Sequence, residues 1–454
     1  MILHAVGVLV ANALLAGGGV GVLMLVDGWR RLARWTRPGV ALLVGQGAFV
    51  VVAPWLLYAG LSVSPLLVEP LIALVLGAGL VVHRRRALPA EPRPGGDGWI
   101  AALVAGVPLV LLGARASYHA LFQFDAISNW VTKAIVIWSG GHRLTGVLDP
   151  RFFARPDLHP QSHLEYPVGL NALYAWDFHW MGTADTWVVH LQLALLLAGA
   201  IGTAWALLRP IVPALPLSAG LAGLVLMPAQ VDRLLSAYAD LPLACVWAAG
   251  AIVLMRWRAE RERYLLALAT VLLAATVAIK QDGGFYDVAI YGGLGIVLAV
   301  EERRRLLELS ASAAIAALTT LPWRIYNAAH GIGSTDIRPG LSRMRAETGN
   351  LRPTIDGILH VFVSRGTLFA LPLAVAFAVA CIVKQRRTEA VPFLLAASLV
   401  VVSIVLIYWN AAVNLPLVLI PALARILTGL IVLAWLLLPT LVYGALAPDE
   451  SSAG

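Results

Sequence analysis

The sequence predicts an all-α polytopic membrane protein of about thirteen transmembrane helices, and three observations predict it. The 454 residues are 60% hydrophobic and 13% charged, against about 25% charged in a soluble domain. Apolar runs of about 20 residues, the length needed to cross hydrocarbon, recur along the whole chain. Cationic side chains collect in the short turns between those runs, as in other multi-pass chains.

The runs cover residues 2–26, 39–61, 65–82, 99–117, 187–208, 212–228, 238–255, 264–280, 284–300, 306–323, 357–383, 391–409 and 415–446. The first has no basic residues ahead of it and carries Arg30 and Arg31 after it. It therefore reads as a spanning helix with its N-terminus outside, not as a cleaved signal. Counting inward from there, the cytoplasmic turns hold Arg30, Arg31, Arg34 and Arg37, then Arg84 to Arg86 and Arg93, then Arg209. Arg256, Arg258, Arg261 and Arg263, then Arg303 to Arg305, and finally Lys384, Arg386 and Arg387 complete the set. Nineteen of the 33 cationic residues thus sit in six short turns, which orients the chain in a cell (plasma) membrane. The formal charge of +8 is spread over these turns, a pattern of topology and not of a nucleic-acid face. Membrane lipids are the expected surroundings, and nucleic acid is not an expected partner. Cys245 and Cys381 both fall inside apolar runs and read as packing residues.

Two outside segments, 118–186 and 324–356, are too long to be turns, and loops of that length usually carry function. They divide the chain into N-terminal helices over 1–98, a core over 99–323 that includes the first long loop, the second loop at 324–356, and C-terminal helices over 357–454. Within the first loop, Phe124 to Trp138 alternates polar and bulky residues at near-helical spacing, predicting a short helix lying in the interface. Phe122, Phe124, Trp130, Trp138, Trp176, Trp180 and Trp187 read as an aromatic belt at the water–lipid boundary.

Candidate chemistry gathers on the outside. Asp125 follows the fourth run, and positions 125, 129 and 133 share one helical face, bringing a carboxylate, an amide and an ammonium together. Such a trio can hold a proton acceptor near an anionic phosphate; a solvated aspartate with a distant lysine reads equally well. Asp240 opens the seventh run, where it either caps the helix or serves a site. Lys280 and Asp282 occupy a tight turn whose glycines are explained by the turn and whose charges are not. Arg324, Arg425 and Lys133 are candidates for holding phosphate, since arginine suits bidentate contact. Arg425 lies about ten residues into the last run, where an arginine costs roughly 2.5–3.5 kcal/mol unless it meets a partner or ligand. His159, His163 and Glu165 could gather a divalent metal, although Pro160 interrupts the helix and no HExxH spacing occurs. No cofactor is expected, and no GxGxxG or Walker sequence supports nucleotide use.

The segments FDAISNWVTKA, HPQSHLEYP, SAYADLPLA and IKQDGG, in that order over residues 122–283, resemble the successive signatures of the polytopic glycosyltransferases of the C superfamily (GT-C). The resemblance is to the bacterial mannosyltransferase-like and aminoarabinose-transferase-like members. It covers about a third of the chain. Glu165 stands where that pattern has aspartate before Tyr166-Pro167, Gln281 and Asp282 stand where it has asparagine and glutamate, and three helices precede Asp125 instead of one. The resemblance implies a GT-C-like membrane enzyme with its site on the extracytoplasmic face. It would move a sugar from a polyprenyl-phosphate donor to an acceptor of undefined class, with inversion. By the same resemblance Asp125 and Asp240 take catalytic positions, while Lys133, Glu165, Tyr166, Lys280, Asp282, Arg324 and Arg425 line the substrates.

Two other functions compete. A lipid or glycan transporter or flippase tends to show repeated halves and polar, broken helices near the midplane, whereas this chain is asymmetric with its polar groups at one face. A non-catalytic membrane assembly subunit is opposed only by the acidic clusters. Asp125, Asp240 and Lys280 in one cavity would favour the enzyme, and scattered positions the subunit.

Overall fold

The computed structural model describes residues 2–86, 98–121, 123–140, 163, 165–333, 348–385, 388–409 and 415–447. Every described element is helical. The helices are α1 (Ile2–Leu25), α2 (Arg37–Tyr58), α3 (Pro65–Arg85), α4 (Gly98–Ala116), α5 (Thr132–Gly140), α6 (Gly169–Met181), α7 (Val189–Leu208), α8 (Ala214–Leu226), α9 (Pro228–Ser236) and α10 (Asp240–Glu260). They continue with α11 (Arg263–Ile279), α12 (Gly283–Glu301), α13 (Leu306–Leu318), α14 (Leu321–Ala329), α15 (Leu351–Phe362), α16 (Ala370–Val383), α17 (Ala390–Trp409), α18 (Leu415–Ile426) and α19 (Thr428–Leu446). Among the described residues ten helices are long and apolar enough to cross a membrane, with Arg303–Ala329, which holds α13 and α14, counted as one, or eleven if the bent pair α8–α9 is one span. The chain is thus a multi-pass membrane protein.

The difference from thirteen apolar runs has local causes. Helix α11 has 17 residues and ends at Lys280. The run at 212–228 bends by 52° between α8 and α9, where Pro228 cannot donate to the preceding turn. The run at 357–383 is broken between α15 and α16: Ser364 Oγ accepts from the amide of Gly366, and Leu368 and Phe369 take left-handed backbone conformations. The run at 415–446 divides at Leu427 into α18 and α19. The expected loop at 324–356 is helical at both described ends, because α14 runs on to Ala329 and α15 begins at Leu351; Arg338, Arg343 and Arg345 lie outside the described residues.

Helix α10 is the axis of the bundle, with every residue from Asp240 to Trp257 buried against α7, α11, α12 and α19. Its 21 residues span about 31 Å at 1.5 Å per residue, so its two ends mark two ends of the molecule. Helices α1 and α2 cross closely. A Cβ on Gly19 would strike the Ala41 carbonyl, and one on Gly45 the Leu15 carbonyl, the small-residue contact that brings membrane helices together. Helix α1 also packs on α6, and α2 on α7 and α11.

The aromatic belt needs correction. Trp130 and Trp176 are buried, at 1% and 0% exposed, because α6 is drawn into the bundle, where Trp176 Nε1 donates to the carbonyl of Ala11 at 3.1 Å. Asp177 of the same helix is wholly buried beside Asn12, whose Nδ2 donates to its Oδ1 at 3.4 Å. Gln46 donates to Asn12 Oδ1 at 2.7 Å.

Candidate functional site

Five ionisable side chains converge at the Asp240 end of α10. Arg425, in the last turn of α18, donates through Nη1 to Asp125 Oδ2 at 2.6 Å and through Nε to Asp240 Oδ2 at 2.9 Å. Lys280, just past α11, donates to Asp240 Oδ1 at 2.9 Å and pairs with Asp282 Oδ2 at 2.6 Å. Asp240 is therefore bridged by two cations. Its carboxylate does not cap α10, and that sequence reading falls.

The scaffold under Arg425 explains why the arginine points this way. The Tyr238 ring lies under its guanidinium at 4.1 Å, a cation–π contact, and the Tyr238 hydroxyl donates to Gln123 Oε1 at 3.2 Å. The break between α18 and α19 is held from the other side. The Tyr286 hydroxyl donates to the carbonyl of Ile426, and the Thr428 hydroxyl to that of Ala424 at 3.1 Å.

Exposure separates the two acids of the cluster. The Asp240 side chain is 2% exposed, whereas that of Asp125 is 29% exposed and that of Arg425 is 25% exposed. Asp125 is the carboxylate an incoming molecule can reach, and Asp240 the buried post that fixes both cations. Three carboxylates against two cations leave the cluster with one net negative charge, so an anion arriving here needs a further cation beside it.

A cavity of about 970 Å³ opens beside the cluster, with Gln281, Asp282, Phe285, Asp287, Trp323 and Arg324 among its walls. Asp282 belongs to both the cluster and the cavity. Arg324 sits over the Trp323 ring at 5.5 Å, held on α14 beside the mouth of the cavity.

Lys133 is not with Asp125, contrary to the shared-face expectation. Ala126–Val131 is a π-turn, whose i→i+5 bonding shifts the register that four-residue spacing assumes. Asn171 Nδ2 takes up the carbonyls of Asn129 and Trp130 at 2.9 and 2.7 Å. Lys133 is turned inward, wholly buried, and donates to the His163 carbonyl at 2.7 Å. Burial pulls its ammonium down to about 8, with the Glu165 charge opposing. Glu165 lies 3.3 Å from His163 Nδ1, and Tyr166 stacks between His163 and Trp130 with centroids 4.5 and 5.8 Å away. These residues form a second polar group.

The His159, His163 and Glu165 set falls partly outside the described residues. His159 lies outside the described residues, and among the described residues no three histidine, cysteine or acidic side chains are grouped to hold an ion. Sequence reasoning missed Tyr238, although it stands two residues before Asp240 in the same motif. No protein-family model, no curated protein and no solved structure matches the chain.

Proposed function

We propose that the protein is an integral-membrane glycosyltransferase that moves a sugar from a polyprenyl-phosphate donor to an extracytoplasmic acceptor with inversion. The observation that carries this reading is the part-exposed Asp125 carboxylate paired with Arg425, in a charge cluster whose Asp282 lines a large cavity together with Arg324. In the proposed reaction the acceptor hydroxyl oxygen bonds to the anomeric carbon as the bond from that carbon to the phosphate oxygen breaks. The electron pair leaves with the phosphate, and the hydroxyl proton passes to Asp125. A single displacement of this kind inverts the anomeric centre.

The charges suit the task. Arg425 paired to Asp125 aims the carboxylate while the site is empty. A donor phosphate would compete for the guanidinium and free Asp125 to accept the proton as the hydroxyl attacks. Arg425 then faces the oxygen that accumulates charge, while Arg324 helps to hold the donor phosphate. Asp240 and Lys280 serve as positioning residues for Arg425.

The direct test is incubation of the purified protein with radiolabelled polyprenyl-phosphate sugars and membrane lipids. Transfer to a lipid or glycan acceptor is the expected result; movement of labelled lipid across vesicles without transfer would favour a flippase, and neither would leave an assembly subunit. The extracytoplasmic side of the site is tested by single-cysteine labelling. Residue 85 is expected to resist an impermeant reagent in intact cells, and its labelling from outside would invert the topology.

A further inference from the structure

A second, smaller cavity of about 120 Å³ lies against the joint between α18 and α19, and shares no wall residue with the large one. Its walls include Gln230 and Arg233 of α9, His360 of α15, Ser364 and Thr367 of the following turn, and Thr428. Arg233 Nε donates to Thr428 Oγ1 at 3.3 Å. Among the described residues no carboxylate lies within ion-pair distance of Arg233; Asp240, Asp232, Arg425 and Tyr238 act on it from farther away.

Gln230 is the anomaly. Its side chain is wholly buried, yet neither Oε1 nor Nε2 has a hydrogen-bond partner. A buried amide with both ends unmet is rare, because the group has given up water and received nothing. The cavity has room for several waters or one compact ion, and the wall chemistry selects among compact ions. Arg233 and Gln230 Nε2 offer donors to anionic oxygens, while Gln230 Oε1 asks for a donor in return. A carboxylate or sulfate supplies acceptors only and would leave Oε1 unmet. A neutral hydroxyl would leave Arg233 with no anion in contact. A phosphate monoester or hydrogen phosphate carries both anionic oxygens and a P–OH.

We infer that this cavity is a binding site for a protonated phosphate, either free phosphate or the monophosphate headgroup of a lipid, distinct from the donor cavity proposed above. Its ligand shares α18 with the charge cluster, since Ala424 lines the cavity and the next residue is Arg425. Binding requires no turnover, so the inference stands or falls separately from glycosyl transfer.

The experiment is equilibrium binding of radiolabelled inorganic phosphate to the full-length protein in detergent, with sulfate, acetate and a short-chain prenyl monophosphate as competitors. Saturable phosphate binding, at least tenfold weaker competition by sulfate and acetate, and a tenfold or greater loss in Gln230→Met are expected. Gln230→Met removes the amide at nearly constant volume and should keep or raise the thermal midpoint, so a folding failure does not confuse the result. Arg324→Ala, in the large cavity, should retain the binding. Competition by the prenyl compound would identify a lipid headgroup as the ligand, and its failure to compete would identify free phosphate. Absence of saturable binding, or equal binding by wild type and Gln230→Met, overturns the proposal and makes this a water-filled void.

Discussion

The two ends of α10 handle charge in opposite ways. At the Glu260 end three arginines each meet their own acids and share none. Arg31 bonds Glu262 at 2.7 Å, Arg256 bonds Glu260 and Glu389, and Arg258 makes a two-point contact with Glu301 at 2.9 and 2.6 Å. At the Asp240 end one arginine holds two acids from segments 300 and 185 residues away, and the anchoring carboxylate is almost closed to solvent. The first end consists of separate contacts, from the nearly closed Arg256–Glu389 pair to the part-exposed Arg31 pairs, and the exposed ones are small and replaceable. The second is one network in which each member depends on the others, and there removing a partner strands a buried charge.

The sharpest break in that comparison is Asp125→Asn. General-base assistance is typically worth about 10² to 10⁴ in rate, so turnover should fall by that order while expression and thermal stability stay near wild type. Wild-type transfer by this variant would remove Asp125 from the reaction. Next comes Asp240→Asn, which leaves Lys280 and Arg425 facing each other without their shared carboxylate. Breaking a buried pair costs about 3–5 kcal/mol, and the drop should appear in the thermal midpoint before any assay of transfer. A stability close to wild type would show that the network is not cooperative. Arg324→Ala should raise the apparent donor KM several-fold with little change in kcat, as expected for a contact equally strong in ground and transition states; a fall in kcat alone would place Arg324 in the chemistry.

At the opposite end, Arg258→Ala should cost no more than about 1 kcal/mol and leave transfer untouched. Any larger loss of activity would mean that the ends communicate. The last prediction concerns Lys133, whose ammonium is pulled down to about 8 by burial. Its folded-state affinity for a proton is below that of the unfolded chain. The cost is therefore fully present below pH 8, and stability should rise as pH increases from about 8 toward 10.5. Thermal midpoints across that window should climb in the wild type and climb less in Lys133→Met; identical slopes would assign the trend to other groups.

Much of the site was legible because ionisable residues stand out in an apolar chain. Asp125, Asp240, Lys280, Asp282 and Arg425 were each conspicuous alone, and the pairing among them came from the packing of α10, α11 and α18, which no local pattern encodes. Lys133 was misplaced because a π-turn is invisible to four-residue spacing. The tryptophans of 118–186 were assigned to a belt because their composition is the same whether a helix floats at an interface or is swallowed by the bundle, as α6 is. Gln230 and Arg233 left only a short amphipathic stretch after Pro228. The aligned polar residues Asn12, Gln46 and Asp177 were visible singly, and nothing in the sequence joined residues 165 positions apart.

The span of 300 residues between Asp125 and Arg425 also imposes an order on biosynthesis. At roughly 5–20 residues per second, a ribosome makes Arg425 about 15–60 s after Asp125 has emerged. During that interval Asp125, Asp240 and Asp282 share a single cation, Lys280. The nascent chain must therefore keep that end of the bundle hydrated, or shielded by the insertion machinery, until the last helices enter. Arg425 thus acts as a closing clasp, and a chain arrested before it would display an unneutralised acidic pocket by which membrane quality control could recognise unfinished molecules.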